Sequence, residues 1–472
     1  MSMSVACGGA DVHAWTPPAQ RAANDDPAQM RPGYCSSDLH VWWPLTQPEL
    51  AALHGLDRAR AGDPHALLAL ALVASGTPRD AEKYDEYVRR VDKFVADLTP
   101  TIQAANDDWH RGYELHRAMH RTFFTGGGEL AGYQFEQSRV AGIFETGHYN
   151  CISSAMLFVV LARYFGMSVR GVLVPTHAFV EMGPAGGKTL EIETTSDTGF
   201  DLVHDERFYR EAAAGWSSQR GLRPVTLDDY QHRQIVDPYR LMAAGMAQQS
   251  GRQATAGADR SRLLELAAFT DADDAEWAYD RLSLYITEGN ALRATKSAHT
   301  LVAMFDCVGP ALSDLMARGA KDPKVGQLLA WARAYYADAL STAGRTDEAT
   351  AIAADALGRI DPAWEDAGKI RDNFYAVLID RMLDLMNKKQ FAEALKLMAP
   401  YTEGCSAMPV CAEDLTAVTR NWAVDYINKS VQAERVGDWQ AARQALQDCA
   451  TQVPDEAECK TRLADLESRH RF

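Results

Sequence analysis

The chain has 472 residues, enough for two or three domains with sizeable cores. Its apolar, aromatic and charged fractions are those of a globular protein. Its net charge of −16 argues against a nucleic-acid binder, which normally presents a basic face. No apolar run reaches the roughly 18 to 20 residues that span a bilayer, and the best candidate, Ala155 to Ala162, is far shorter.

Residues 1–45 are rich in Pro, Asn, Asp and Gly with little periodicity and read as an irregular arm. The start, MSMSVACGGADVHAWTPPAQ, lacks the basic and apolar regions of a secretory signal. Its VACGGA segment nevertheless resembles a bacterial lipoprotein junction with Cys7 as the lipid-bearing residue, although Ser4 fits that pattern poorly. The competing reading is a surface cysteine in an irregular start. Cys405 with Cys411, and Cys449 with Cys459, stand at short spacings that suit disulfides in an oxidising compartment. If Cys7 and Cys35 also pair, Cys151 and Cys307 remain. These hints favour a periplasmic or lipoprotein-like exported chain over a cytoplasmic one.

Residues 46–125 read as a helical segment. TQPELAALHGLDRARAGDPHALLALALVASG has Pro near first turns and Gly near helix ends. In DAEKYDEYVRRVDKFVADL, Tyr84, Tyr87, Val91, Phe94 and Leu98 form an amphipathic stripe. The texture then changes over 126–235. RGVLVP, HAFVEM and TLEIETT are strand-like pieces separated by Gly and Pro, so an α+β unit is expected there. Residues 260–472 return to helices. TEGNALRA, TAGRTDEA, NKKQFAEA and RVGDWQAA each look like a turn between two helices, ending at Ala294, Ala349, Ala394 and Ala442. The pattern is tetratricopeptide-like, with spacings of about 45 to 55 residues where about 34 is usual.

Within 126–235, YNCISSAMLFVVLARYFG predicts a helix from Cys151 to Phe165, with Asn150 as N-cap and a stop at Gly166. Cys151 then sits at the helix N-terminus, where N–H groups and the macrodipole favour a thiolate. The rest of that helix carries only Arg163 as a charge, so it is expected to be buried and to mount the thiol rigidly. HAFVEM alternates, with Ala178, Val180 and Met182 on one face and His177, Phe179 and Glu181 on the other. In TLEIETT, Leu190 and Ile192 share a face opposite Glu191, Glu193 and Thr195. Joining the apolar faces aligns Val180 with Leu190 and Ala178 with Ile192, which places Glu193 across from His177. Taken singly, Cys151 reads as a core thiol and His177 as a structural histidine. Their order, the helix-end placement and the facing carboxylate together favour a Cys-His-Glu triad.

NC, then HAFVE, then ETT resembles the three motifs of the transglutaminase-like superfamily, which includes bacterial cysteine peptidases with a papain-related core. The resemblance covers about 100 residues and leaves the flanking helices untouched. It implies an α+β catalytic domain in which Cys151 matches the nucleophile, His177 the base, and Glu193 the usual aspartate of a D-x-T motif, with Thr195 two residues on. Glutamate for aspartate keeps the charge and lengthens the arm by one methylene. The implied chemistry is acyl transfer on a protein or peptide, by hydrolysis as a peptidase or amidase, or by amine cross-linking. The Cys151 N–H would supply one oxyanion donor, and Gln134, Gln137 and Tyr149 are candidates for a second. The helical repeats would recruit substrate or a protein partner. The alternative is a catalytically inactive helical-repeat scaffold that binds a peptide without cleaving it.

Other groupings point elsewhere. In HRGYELHRAMHR, His116 and His120 stand one turn apart, as a metal pair would. Arg117 replaces the glutamate of a zinc-protease helix, and flanking arginines repel a cation, so the expectation is a solvated helix face with no metal. TGGGE at 125–129 lacks the Lys-Ser/Thr of a phosphate loop and reads as a domain-boundary turn. The C-terminal cysteines miss zinc-ribbon spacing, and no cofactor is expected.

Overall fold

The structure is a computed structural model. It describes Cys35, Trp42, Leu45 and residues 47–472, apart from 76–80, 127–131, 184–187, 203–204, 211–223, 251–262, 265, 268, 272–274, 296, 318–322, 407–408 and 471. The lipoprotein-like VACGGA segment and most of TGGGE lie outside the described residues. The chain divides into two compact units, one of residues 1–287 with 307–319 and one of 288–306 with 320–472.

In the first unit, helices α1 (Gln47–His54), α2 (Leu56–Arg60), α3 (Pro64–Ala74), α4 (Ala81–Ala104), α5 (Asp108–Phe123), α6 (Val140–Thr146) and α7 (Cys151–Tyr164) precede a small sheet. Strands β1 (Val169–Val174), β2 (His177–Met182), β3 (Leu190–Ile192) and β4 (Gln234–Val236) form it, antiparallel, in the order β3-β2-β1-β4. The α+β expectation therefore holds for this unit. β4 lies in QHRQIVDP, a segment whose polar composition hides it from a hydrophobic pattern.

The core forms because α3 and α7 are apolar around almost their whole circumference. Such helices need neighbours on every side. α3 starts at Asp63, which caps the His65 and Ala66 N–H groups, with Pro64 in the first turn. It packs on α7, and the helix Pro238–Ser250 covers both. From α4 the stripe residues Tyr87, Val91, Phe94 and Leu98 join this same core, with Tyr84 half-buried against it. The helical segment expected at 46–125 thus shares its interior with the sheet. Ala178, Val180, Met182, Leu190 and Ile192 face that core, while Val172, Val174 and Phe179 face a smaller cluster with Tyr209 and Val225.

The second unit is a set of helical hairpins. Pro323–Thr342 pairs with Thr346–Leu357, Ala367–Asn387 with Phe391–Met398, and Pro409–Arg435 with Trp439–Gln452, followed by Ala457–Arg469. Three of the four expected turns close identically. Gly344, Lys389 and Gly437 each adopt positive φ, of 83°, 62° and 75°. The next residue donates back across the helix end, from Arg345 to Leu340, Gln390 to Leu385 and Asp438 to Ala433, at 2.9, 2.8 and 2.9 Å. This is the glycine-type helix stop. Ala349, Ala394 and Ala442 then fall at the same offset and are fully buried, as the small-residue reading requires.

The fourth expected turn is corrected. TEGNALRA lies inside the continuous helix Ala275–Ala294, and Ala294 is exposed. Gly289 there is a packing glycine, since a Cβ on it would touch Leu301 and Tyr335 at 3.6 Å.

Candidate active site

The hairpin register differs from the sequence expectation by two residues. Val180 pairs with Ile192, Glu181 with Glu191 and Met182 with Leu190, in place of Val180 with Leu190. A two-residue shift preserves both faces, so burial alone does not distinguish the two registers; the length of the connecting turn does. Extended by one step, this register sets Glu193 opposite Phe179, diagonal to His177. Directly opposed residues lie about 5 Å apart and diagonal ones about 7–8 Å. The longer glutamate arm covers that offset, and its Oε2 meets His177 Nε2 at 2.5 Å.

Both ends of the Glu193 carboxylate are engaged. Oε1 accepts from the Thr195 N–H at 3.1 Å and from the Thr195 hydroxyl at 2.6 Å. Burial works to raise this carboxyl. The His177 charge and the hydrogen bonds from His177 and Thr195 outweigh burial and lower the pKa to about 2. The pair is asymmetric in exposure, with the His177 side chain 18 % exposed and that of Glu193 1 %. With Nε2 committed to the carboxylate, Nδ1 is the ring nitrogen left to act as a base.

His177 is also held by its turn. Val174 pairs with His177, so only Pro175 and Thr176 connect β1 to β2. Proline fixes the first position and the second must take positive φ, which Thr176 does at 67°. A β-branched residue in that region is a true outlier, costing about 1–2 kcal/mol. Strain of this kind, next to a histidine already paired with a carboxylate, is typical of a functional site.

Cys151 begins α7 as expected. Asn150 accepts from the Ile152 and Ser153 N–H groups, both at 3.1 Å, and its own N–H donates to Ser153 Oγ. Its Nδ2 donates to the Phe135 carbonyl and to Ser138 Oγ. The cap draws on the N–H groups of Ile152 and Ser153, not on that of Cys151. Either side of Cys151 is tied to the segment that follows Glu193. Tyr149 donates its hydroxyl to the Thr195 carbonyl at 3.1 Å, and Ser154 Oγ meets Thr194 Oγ1 at 2.8 Å. The helix start and the carboxylate are therefore one hydrogen-bonded assembly. That segment turns back tightly, with the Glu193 N–H donating to the Gly199 carbonyl at 2.8 Å. A Cβ on Gly199 would stand 2.2 Å from the Glu193 carbonyl oxygen.

The cysteine pairing corrects part of the sequence reading. Cys35 is bonded to Cys307, not to Cys7, and Cys449 to Cys459 as expected. Cys151 is not left over as a thiol. It is fully buried and disulfide-bonded. Cys411 is disulfide-bonded likewise, while Cys7 and the Cys405 side chain lie outside the described residues.

The near-site candidates separate. The Tyr149 hydroxyl is spent on Thr195, with its ring stacked on Phe124 at 3.9 Å, so Tyr149 serves as a brace. Asn150 and Thr195 are likewise committed to the cap and to Glu193. Gln137 accepts from the Arg139 N–H and crowds Gly142, which turns it onto α6. Gln134 is exposed, and its N–H donates to the Tyr149 carbonyl at 2.8 Å, which keeps it beside the helix start.

His116 and His120 overturn the expectation of a solvated face. His116 is fully buried, and the two rings are 4.7 Å apart. α5 turns Gly112, Leu115, His116 and Met119 inward, while Arg117 and Arg121 take the other side. A helical wheel carries this signal, because His116 lies on the stripe of Leu115 and Met119. Among the described residues no group of three His, Cys, Asp or Glu side chains is placed to hold a metal ion. Among them, too, no helix is long and apolar enough to cross a membrane.

No protein-family model, no curated protein and no solved structure matches this chain.

Proposed function

We propose that the chain is a transglutaminase-like cysteine hydrolase, a peptidase or amidase, whose nucleophile Cys151 is held in a disulfide until reduced. The observation that carries this reading is the buried Glu193 carboxylate on His177 Nε2, in an assembly hydrogen-bonded to both flanks of Cys151. A thiol or dithiol reductant would take over the disulfide, becoming oxidised itself and releasing the Cys151 thiol. His177 Nδ1 then accepts the thiol proton, and Glu193 fixes the ring and stabilises the imidazolium. The thiolate attacks an amide carbonyl, with the Cys151 N–H as one oxyanion donor. The amine leaves with the proton from His177, and water activated by the same imidazole resolves the thioester. The hairpin unit would recruit the protein substrate or a partner.

A second reading has its own observation. The disulfide on Cys151 suits a helical-repeat scaffold in which this cysteine only braces the core. Reaction with a thiol-directed acylating probe decides between the two. Dithiothreitol-treated wild type should label at Cys151 faster at pH 6 than an ordinary thiol. Cys151→Ala should lose the label, and His177→Ala should slow it by roughly 10²–10⁴-fold. Labelling no faster than an ordinary thiol, with no effect of His177→Ala, leaves the scaffold. Incorporation of a fluorescent amine in place of hydrolysis would identify a cross-linker.

A further inference from the structure

We propose that His116 and His120 are positioning residues, a neutral imidazole pair on which the 193–196 turn rests so that Glu193 stays aimed at His177. The inference rests on the reading of Glu193 as the partner that orients His177. Its test reads the turn directly, so it fails or stands apart from catalysis.

The geometry is specific. One turn apart on α5, the two rings line up under the turn. The backbone at Glu193 and Ser196 lies against His116, and that at Thr194 against His120. Phe158, Phe200, Phe124 and Tyr149 wall the pair at centroid distances of 4.7 to 6.2 Å. The structure gives neither His116 nitrogen, nor His120 Nε2, a well-formed hydrogen bond, although those peptide groups lie alongside. A buried nitrogen left this way costs about 1–3 kcal/mol, and a phenylalanine would fill the same space without that penalty. An imidazole pair is the costlier filling unless the turn uses its nitrogens.

Charge supports the same role. Burial first, and then the neighbouring His120, lower the His116 pKa to about 3; burial lowers that of His120 to about 4. The charged or titratable groups facing the pair are Glu193 and Asp197 from the turn and Tyr149 from the segment before α7. Both rings are therefore neutral at pH 7, and neither competes with His177 for the carboxylate. A protonated His116 would compete.

The experiment is amide hydrogen exchange on the full chain, with the His177 ring N–H proton followed by NMR. In His116→Phe or His120→Phe, the bonds from the Glu193 N–H to the Gly199 carbonyl and from the Ser196 N–H to the Glu193 carbonyl should open more often, so those two amides should exchange about five- to tenfold faster. Amides within α7 should not change, and the His177 N–H should lose protection. His116→Asn, which keeps a donor and an acceptor, should recover most of it. In the wild type, lowering the pH from 5 to 3 should loosen the same amides before those of α7, once intrinsic rates are removed. Phenylalanine variants with unchanged turn exchange, or a wild-type turn that does not loosen first in acid, would overturn the assignment.

Discussion

The two units bury different things. Among the described residues, the buried polar side chains are almost all in the first unit, where Ser138, Asn150, Ser153, Ser154, Glu193, Thr194, Thr195 and Ser196 cluster around one helix start and one turn. In the second unit only Glu288 and Ser430 are of this kind, and alanine, leucine and aromatic residues fill the hairpins. A repeated apolar hairpin needs only small residues at the crossing and a left-handed residue at the stop. A buried polar network must satisfy every member, and a partly satisfied one is worse than none. That difference places the demanding polar network in the first unit and leaves the second to apolar packing.

Acid should separate the units most strongly. The folded-state pKa values of His116 and His120 lie below the 6.5 of an unfolded histidine, so the unfolded chain binds more protons below that pH. Their contribution is complete above pH 6.5 and is lost as pH falls toward 4 and 3, at roughly 1.4 kcal/mol per pH unit for each ring. Glu193, lowered from 4.5 to about 2, adds a loss that begins near pH 4.5. In the second unit the lowered carboxylates Asp355 and Asp384 sit at the surface, and their losses start lower. Residue-resolved hydrogen exchange between pH 7 and 4 should therefore show the first unit opening first. Simultaneous opening would break the contrast.

Asn150→Ala removes a buried cap that accepts two backbone N–H groups and the Ser153 hydroxyl and donates two hydrogen bonds. It should cost about 2–4 kcal/mol in denaturant unfolding of the first unit. Ala394→Leu overpacks a hairpin crossing and should cost about 1–3 kcal/mol, confined to the second unit. The smallest effect is a gain. Lys389 occupies the position that Gly344 and Gly437 hold in the sister hairpins, and Lys389→Gly should stabilise by about 0.5–1 kcal/mol. Its ion pair with Asp425 has an exposed lysine end, and Lys429 stays paired with the same carboxylate, so losing it subtracts little. A loss on Lys389→Gly would show that the hairpins are not equivalent.

Much of this was legible in the residues because it rests on strong local signals. The Asn150 cap, the three strands around His177 and three hairpin stops each combine a turn residue with an apolar period. The residues mislead where the deciding interaction is long-range. The β2–β3 register hinged on the connecting turn, and alternation cannot see a shift of two. TEGN carries the residues of a turn, yet tertiary packing around Gly289 keeps it helical. The arginines beside His116 in sequence suggest a solvated face, yet they point the other way on the helix. The pairing of Cys35 with Cys307 joins residues 272 apart, which no spacing rule reaches.

The close approach at Gly199 sets a grammar for the site. The distance from the acid at 193 to the glycine at 199 is fixed by one tight return of the chain. Any related sequence that uses this carboxylate should carry both letters at that interval, even where everything between them differs. A residue without a side chain would then be as diagnostic of the site as the one that supplies the charge.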